Sequence, residues 1–319
     1  MEEYGHSERH AAAGAGLWPV AQPAANIRHN CRMKSYPDGS AVILVADRAI
    51  FRAPGWEEVN PKRKKKQTDD GDLSQLWDRI DVAELSQYEL ARMEDGAQAR
   101  AAASIARAQR RAKATVKDLA LSNDFTHFVT FTLDPKKVDR YDMKEITRKL
   151  NAWLDNHVRR DGLAYVLVPE RHQDGAIHFH GLINGALPLV DSGTVDTGKG
   201  KPRRPRSEAQ RARWLAEGGH VVYNVPGWSL GFSTAIKLYG ERRRAVGYVC
   251  KYIAKQIGPD GTPGKIGGRW YYSGGALQRP AVTFCDVDSA EFSACQGYEF
   301  IIEELGTKVR IIEVEGGAK

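Results

Sequence analysis

Two apolar runs of strand length lie close together near the middle of the chain. Residues 164–170 read Ala-Tyr-Val-Leu-Val-Pro-Glu and residues 177–183 read Ile-His-Phe-His-Gly-Leu-Ile. Gln173-Asp174-Gly175 between them is a hairpin signal. Upstream, Phe125–Leu133 predicts a first strand, and Ile146, Leu150, Trp153, Leu154 and Val158 recur at the spacing of an amphipathic helix. Downstream, residues 219–225, 269–273 and 281–285 read as further strands. Val246, Val249, Ile253 and Ile257 form an apolar stripe that predicts a helix over residues 231–257. A strand-helix-strand-strand order followed by more strands and a helix predicts an α+β domain over residues 121–285, a sheet with helices packed on it.

The flanks are less regular. Residues 1–72 form an N-terminal extension, partly disordered by composition. It carries a basic run, Pro61-Lys62-Arg63-Lys64-Lys65-Lys66, and a small hairpin within residues 30–52 around Pro37-Asp38-Gly39. Residues 73–120 predict helices broken near Gly96. The second is basic (Arg100, Arg107, Arg110, Arg111, Lys113, Lys117) and is expected to pack through Ile105, Ala108, Ala112 and Val116. Residues 184–218, rich in Gly, Pro and basic side chains, predict a mobile loop inserted into the main domain. Residues 286–319 form a mostly acidic tail that can fold back as strands.

Composition narrows the function classes. A net charge of +7 and a pI near 9.1 suit a polyanionic partner. The cysteines at 31, 250, 285 and 295 form no CxxC pair, which argues against a zinc ribbon or a disulfide scaffold. No apolar run approaches the roughly 20 residues of a membrane span. No secretory signal is visible, and a cytoplasmic location is expected.

The candidate chemistry sits on the hairpin and on the downstream helix. His178 and His180 are two apart on a strand and share a face. A three-residue loop with Gly175 left-handed sets Glu170 across from His178, whereas a two-residue loop would place Arg171 there, and a guanidinium cannot ligate a cation. Two imidazoles and a carboxylate, with His172 nearby, leave room for water and a phosphate oxygen. They suit Mg²⁺ or Mn²⁺. The competing reading is an ordinary hairpin with two surface histidines. On the helix, Tyr248, Tyr252, Lys251 and Lys255 fall opposite the apolar stripe. Two exposed phenols one turn apart, flanked by ammonium groups that favour the phenolate, are suited to attack a phosphodiester in turn. Arg242, Arg243 and Arg244 just before them, and Lys201, Arg203 and Arg204 in the insertion, are candidate DNA contacts. Trp214, Tyr223, Trp228, Tyr239, Trp270, Tyr271 and Tyr272 are candidate stacking rings, most of them expected to be packing residues.

In combination these strings resemble the HUH family of rolling-circle replication initiators, in its two-tyrosine phage and plasmid form. Phe128-Val129-Thr130-Phe131-Thr132-Leu133-Asp134-Pro135 resembles the first motif. Glu170 with His178-Phe179-His180 resembles the second, and Tyr248-Val249-Cys250-Lys251-Tyr252-Ile253-Ala254-Lys255 the third. The resemblance covers roughly residues 120–285. It implies a central antiparallel sheet and a metal-dependent nickase and ligase acting on single-stranded origin DNA, with or without a hairpin. It also implies a 5′-phosphotyrosine intermediate, and Tyr252 for the first cut, since single-tyrosine relatives carry theirs three residues before the closing lysine. Conjugative relaxases place tyrosines before histidines and are excluded by motif order. A two-tyrosine transposase and a non-catalytic DNA-binding regulator on the same fold are the alternatives. No GxxxxGK[ST] phosphate loop is present, so unwinding is expected from a host helicase, with a host polymerase extending the 3′ end.

Overall fold

The computed structural model describes residues 28–53, 96–238, 242–256, 264–293, 295–302 and 305–316. The expectations for the N-terminal segment to residue 27, the basic run at 61–66, the first helix of the 73–120 segment, Tyr239 and Ile257 lie outside the described residues. The chain divides into two compact units.

The larger unit is built on a seven-stranded sheet in the order β11-β6-β7-β5-β10-β9-β8, every neighbouring pair antiparallel. The strands are β5 (His127–Leu133), β6 (Tyr165–Arg171), β7 (Ile177–Ile183), β8 (Val190–Asp196), β9 (His220–Asn224), β10 (Gly231–Lys237) and β11 (Tyr272–Gly274). Four helices accompany it: α1 (Gly96–Ser122), α2 (Met143–Asp161), α3 (Glu208–Ala216) and α4 (Arg242–Ala254). The expected α+β architecture with an antiparallel sheet flanked by helices is therefore present.

Period-two alternation assigns the two faces of this sheet. Val129, Phe131 and Leu133 of β5, Leu167 of β6, Phe179 of β7 and Ala235 of β10 are buried on one face, against Ile146, Leu150, Trp153 and Leu154 of α2. Each large side chain buried here contributes about 1.5–3 kcal/mol relative to exposure. Asp142 caps α2 by accepting from the Lys144 N–H, and the Trp153 indole donates to the Gly227 carbonyl at 2.7 Å. The same alternation sends Phe128, Thr130, Thr132, His178, His180, Phe232 and Thr234 to the other face. α4 packs there against β6 and β7, with α1 alongside α4. Gly181, directly after the histidines, is fixed by close approach: a Cβ there would collide with the Val166 carbonyl oxygen of β6.

Three expectations are corrected in this unit. Residues 231–237 are a strand rather than the start of the tyrosine helix. Phe232-Ser233-Thr234-Ala235-Ile236 alternates, and it completes the sheet between β5 and β9. Residues 184–218 are not a plain loop: they form β8, at the edge beside β9, and α3, whose N-cap Ser207 accepts from the Gln210 N–H. In α1, Ala112, Val116, Leu119 and Ala120 are buried, but Ile105 is exposed and Lys113 is covered.

The smaller unit holds a five-stranded sheet of order β12-β2-β3-β14-β13. Its strands are β2 (Cys31–Ser35), β3 (Ala41–Ala46), β12 (Ala281–Cys285), β13 (Tyr298–Ile302) and β14 (Thr307–Val314). A short pair, β1 (Arg28–His29) and β4 (Phe51–Arg52), lies beside it in sequence. The expected N-terminal hairpin exists as β2–β3, and the acidic tail does fold into strands. The boundary at 285 is corrected, because β12 joins this sheet and not the larger one. Cys31, Ile43, Val45, Cys285 and Ile312 form its core. Burial, with the neighbouring Cys285, pushes the Cys31 thiol well above its ordinary range.

Candidate active site

The β6–β7 hairpin has the three-residue loop that the carboxylate placement requires. His172 and Ala176 close it, and Gly175 takes φ 85°, a left-handed value that favours glycine. The register then sets Glu170 opposite His178 and Arg171 opposite Ile177. Glu170 Oε2 lies 2.8 Å from His180 Nε2, and its Oε1 lies 3.6 Å from Lys255 Nζ. Burial pushes the Glu170 carboxyl up, but the hydrogen bond and charge of His180, together with Lys255, outweigh it and hold the group below the usual range. Burial, then the neighbouring His172 and His180, lowers His178 and keeps that imidazole neutral.

The opposite strand fixes both rings. Thr130 Oγ1 is 3.0 Å from His180 Nδ1, and Thr132 Oγ1 is 3.3 Å from His178 Nδ1. β5 pairs Thr130 with His180 and Thr132 with His178, so the i, i+2 spacing of the threonines matches that of the histidines. With Nδ1 occupied on both rings, Nε2 is the nitrogen turned to the site. The threonines were read only as part of a strand motif. Their matched spacing was the available signal, but it acquires meaning only once β5 is known to neighbour β7.

α4 brings the tyrosines over the same face. Tyr252 stacks on His180, with ring centroids 4.0 Å apart and planes at 8°. Tyr248 meets Phe128 and Tyr252 edge-on at 5.1 and 5.4 Å. The expectation that both phenols are exposed is corrected. Tyr248 is 48% exposed, but Tyr252 only 8%, because its ring fills the gap between α4 and β7. The expected lowering of the phenol by lysines is also reversed at Tyr252. Burial, then the Tyr248 hydroxyl and Glu170, pushes that phenol well above its ordinary value. Lys255 Nζ lies 5.6 Å from the Tyr252 ring centre, and Lys251 is exposed on the helix. The end of α4 is anchored by the buried Gln256, which donates to the Pro169 carbonyl on β6 at 3.2 Å and to the Trp270 carbonyl at 2.6 Å.

Glu170, His178, His180, Tyr248, Tyr252 and Lys255 are thus brought together. Lys201, Arg203 and Arg204 are not. They lie in the segment between β8 and α3, and β8 is four strand positions from β7. Arg203 and Trp214 line a cavity of about 250 Å³ there, together with Lys199 and Glu217. Arg242, Arg243 and Arg244 open α4, but their side chains lie outside the described residues. Trp228 and Tyr272 are buried in the core, as expected of most of the aromatic candidates.

Two histidine Nε2 atoms and a carboxylate are the donor chemistry of a divalent-cation site. Among the described residues, no three His, Cys, Asp or Glu side chains are arranged as a ready cage, since Glu170 bonds His180 directly. The donors fit such an ion once that carboxylate turns from the imidazole.

An antiparallel sheet that presents an imidazole pair to a tyrosine helix, within an α+β unit, is consistent with a Rep-like fold. Residues 126–257, from the start of β5 to just past α4, match the replication-associated protein family of the ORF2 type. The match spans every residue of the assembled site. It supports a replication initiator and suggests a role in replication initiation. No curated protein and no solved structure matches the chain. Among the described residues, no helix is long and apolar enough to cross a membrane.

Proposed function

We propose that this protein is a two-tyrosine HUH nickase and strand transferase, acting on single-stranded origin DNA to start and end rolling-circle replication. The observation that carries the reading is the stacking of Tyr252 on His180, which places a nucleophile against the ligand pair. His178, His180 and Glu170 would hold Mg²⁺ or Mn²⁺. Such an ion, when bound, supplies Lewis-acid stabilisation of charge on the phosphate.

The chain's own residues account for the rest. Thr130 and Thr132 hold the two imidazoles with Nε2 forward. Lys255 and Lys251 place positive charge beside the phenols, where a phosphate would enter. Tyr252 takes the first cut. Its ring is largely covered, so the phenol must turn out of the stack as the strand enters. Its Oη forms a bond to phosphorus, the bond to the 3′ oxygen breaks, and the proton lost by the phenol is balanced by the one gained on the 3′-hydroxyl. The 5′-phosphotyrosine conserves the energy of the broken bond. Tyr248, one turn away and more exposed, attacks in the second round, and a free 3′-hydroxyl reverses either linkage. A host helicase and polymerase would supply unwinding and extension.

The test is a denaturing-gel assay with single-stranded DNA spanning the replicon's own origin, with Mn²⁺ and with or without chelator. A metal-dependent covalent adduct that Phe at both tyrosines abolishes, with DNA binding retained, is the expected result. Cleavage that survives in the double variant would overturn the assignment.

A further inference from the structure

The open part of the catalytic face carries one large aromatic ring that no step above uses. Phe232 stands on β10, a strand paired on both sides, and is 67% exposed. Its face is set by pairing: Phe232 is opposite Thr132, Thr132 is opposite His178, and His178 is opposite Glu170. These four residues form one row across the sheet, perpendicular to the strands. At about 4.8 Å per strand, Phe232 stands roughly 10 Å from His178 along that row. α4 covers the neighbouring part of the face, where Phe128 and His180 touch its tyrosines, and leaves this ring uncovered. The loop that follows β5 carries the exposed Lys136 and Lys137, and it is joined to the start of β10 by the Asp134 N–H donating to the Leu230 carbonyl at 3.0 Å.

Exposure alone would carry little, because isolated surface aromatics are common. The position is what matters. A flat apolar ring in the row of the candidate ligands, next to a cationic loop on a basic chain, is the pairing of stacking surface and positive charge that unpaired nucleic acid uses. We infer that Phe232 is a stacking platform for one unpaired nucleobase, that of a nucleotide neighbouring the phosphate held at His178 and His180. The inference rests on the single-strand DNA reading above and adds a site to it. Stacking is tolerant of base identity, so the platform fixes the position of the strand rather than reading its sequence.

The test compares a base with no base. Binding of the full chain to a fluorescent oligomer of about twenty deoxythymidines, and to an equally long abasic deoxyribose-phosphate oligomer, is measured by anisotropy without metal. Phe232→Ala and Phe232→Leu should bind the thymidine oligomer about 5- to 100-fold more weakly, with Phe232→Trp close to the parent chain. Binding of the abasic oligomer should be unchanged in all of them, since it has nothing to stack. Tyr298→Ala, which removes another exposed ring, should leave both affinities unchanged. Thymidine binding that is indifferent to the loss of Phe232, or equal losses on both oligomers, would overturn the platform while leaving the nickase reading intact. A parent chain that binds neither oligomer would instead overturn the single-strand reading beneath it.

Discussion

Both sheets of this protein place a carboxylate on one strand within reach of a cation on its antiparallel neighbour, and only one of them makes a candidate active site. In the smaller unit Glu299 faces Arg310, which grips one of its oxygens at 2.6 and 2.9 Å, with Lys308 at 3.8 Å. In the larger unit Glu170 faces His178 and touches His180 and Lys255. Both carboxylates are held below their usual range, Glu299 chiefly by the Arg310 hydrogen bond and Glu170 by His180 and Lys255 against burial. The difference lies in what the partner can do next. A guanidinium donates and has no lone pair to give, so the Glu299 pair can only hold strands together. An imidazole has a second nitrogen, and at both histidines a threonine occupies the first. The same backbone geometry therefore yields a structural tie in one sheet and a ligand set in the other.

The largest expected effect comes from removing the nucleophiles. Tyr248→Phe with Tyr252→Phe should reduce covalent DNA adduct by at least about a thousandfold, read on a denaturing gel. Glu299→Gln with Arg310→Gln should leave the adduct unchanged, and equal losses would erase the contrast between the sheets. Next is the ligand set itself. His178→Ala or His180→Ala should lower Mn²⁺ affinity, measured by calorimetry, by more than either threonine variant does. Thr130→Val and Thr132→Val keep side-chain shape but lose the oxygen on Nδ1, and each should weaken Mn²⁺ binding about 10- to 100-fold. Serine at either position should restore most of that loss, because the hydroxyl rather than the methyl is what the ring uses. Gly181→Ala tests the scaffold. The added methyl must push β6 from β7, and urea unfolding should report a loss of about 1–3 kcal/mol. The smallest effect is expected at Gln256→Ala. It loosens the end of α4 and should cost about 1–3 kcal/mol through carbonyl oxygens left without a donor, seen as faster amide exchange near Pro169 and Trp270.

The site was more legible in the sequence than the fold around it. The strand at 177–183 and the loop that aims Glu170 follow from local signals, namely an apolar run, a turn signal ending in Gly175 and a period of two. The tyrosine helix was recognised, but its start was set too early. The strand formed by 231–237 owes its state to pairing with β5, about a hundred residues upstream. Local patterning also left residues 184–218 without elements, because an edge strand such as β8 has little apolar content of its own. The second sheet was the least legible. It joins strands near residue 31 to strands near residue 312, and neither end shows a partner in its own neighbourhood.

What the sequence determined by itself is the inventory of donors and nucleophiles and the spacing that puts each set on one face, since strand and helix periods are properties of the local backbone. Tertiary structure alone decided which strand lies beside the histidines, and so which hydroxyls occupy their Nδ1 atoms. It decided that Tyr252 is covered and its phenol raised while Tyr248 is open. It also decided that Phe232 shares a row with Glu170, His178 and Thr132. These outcomes depend on contacts between residues far apart in the chain, and only packing chooses among those.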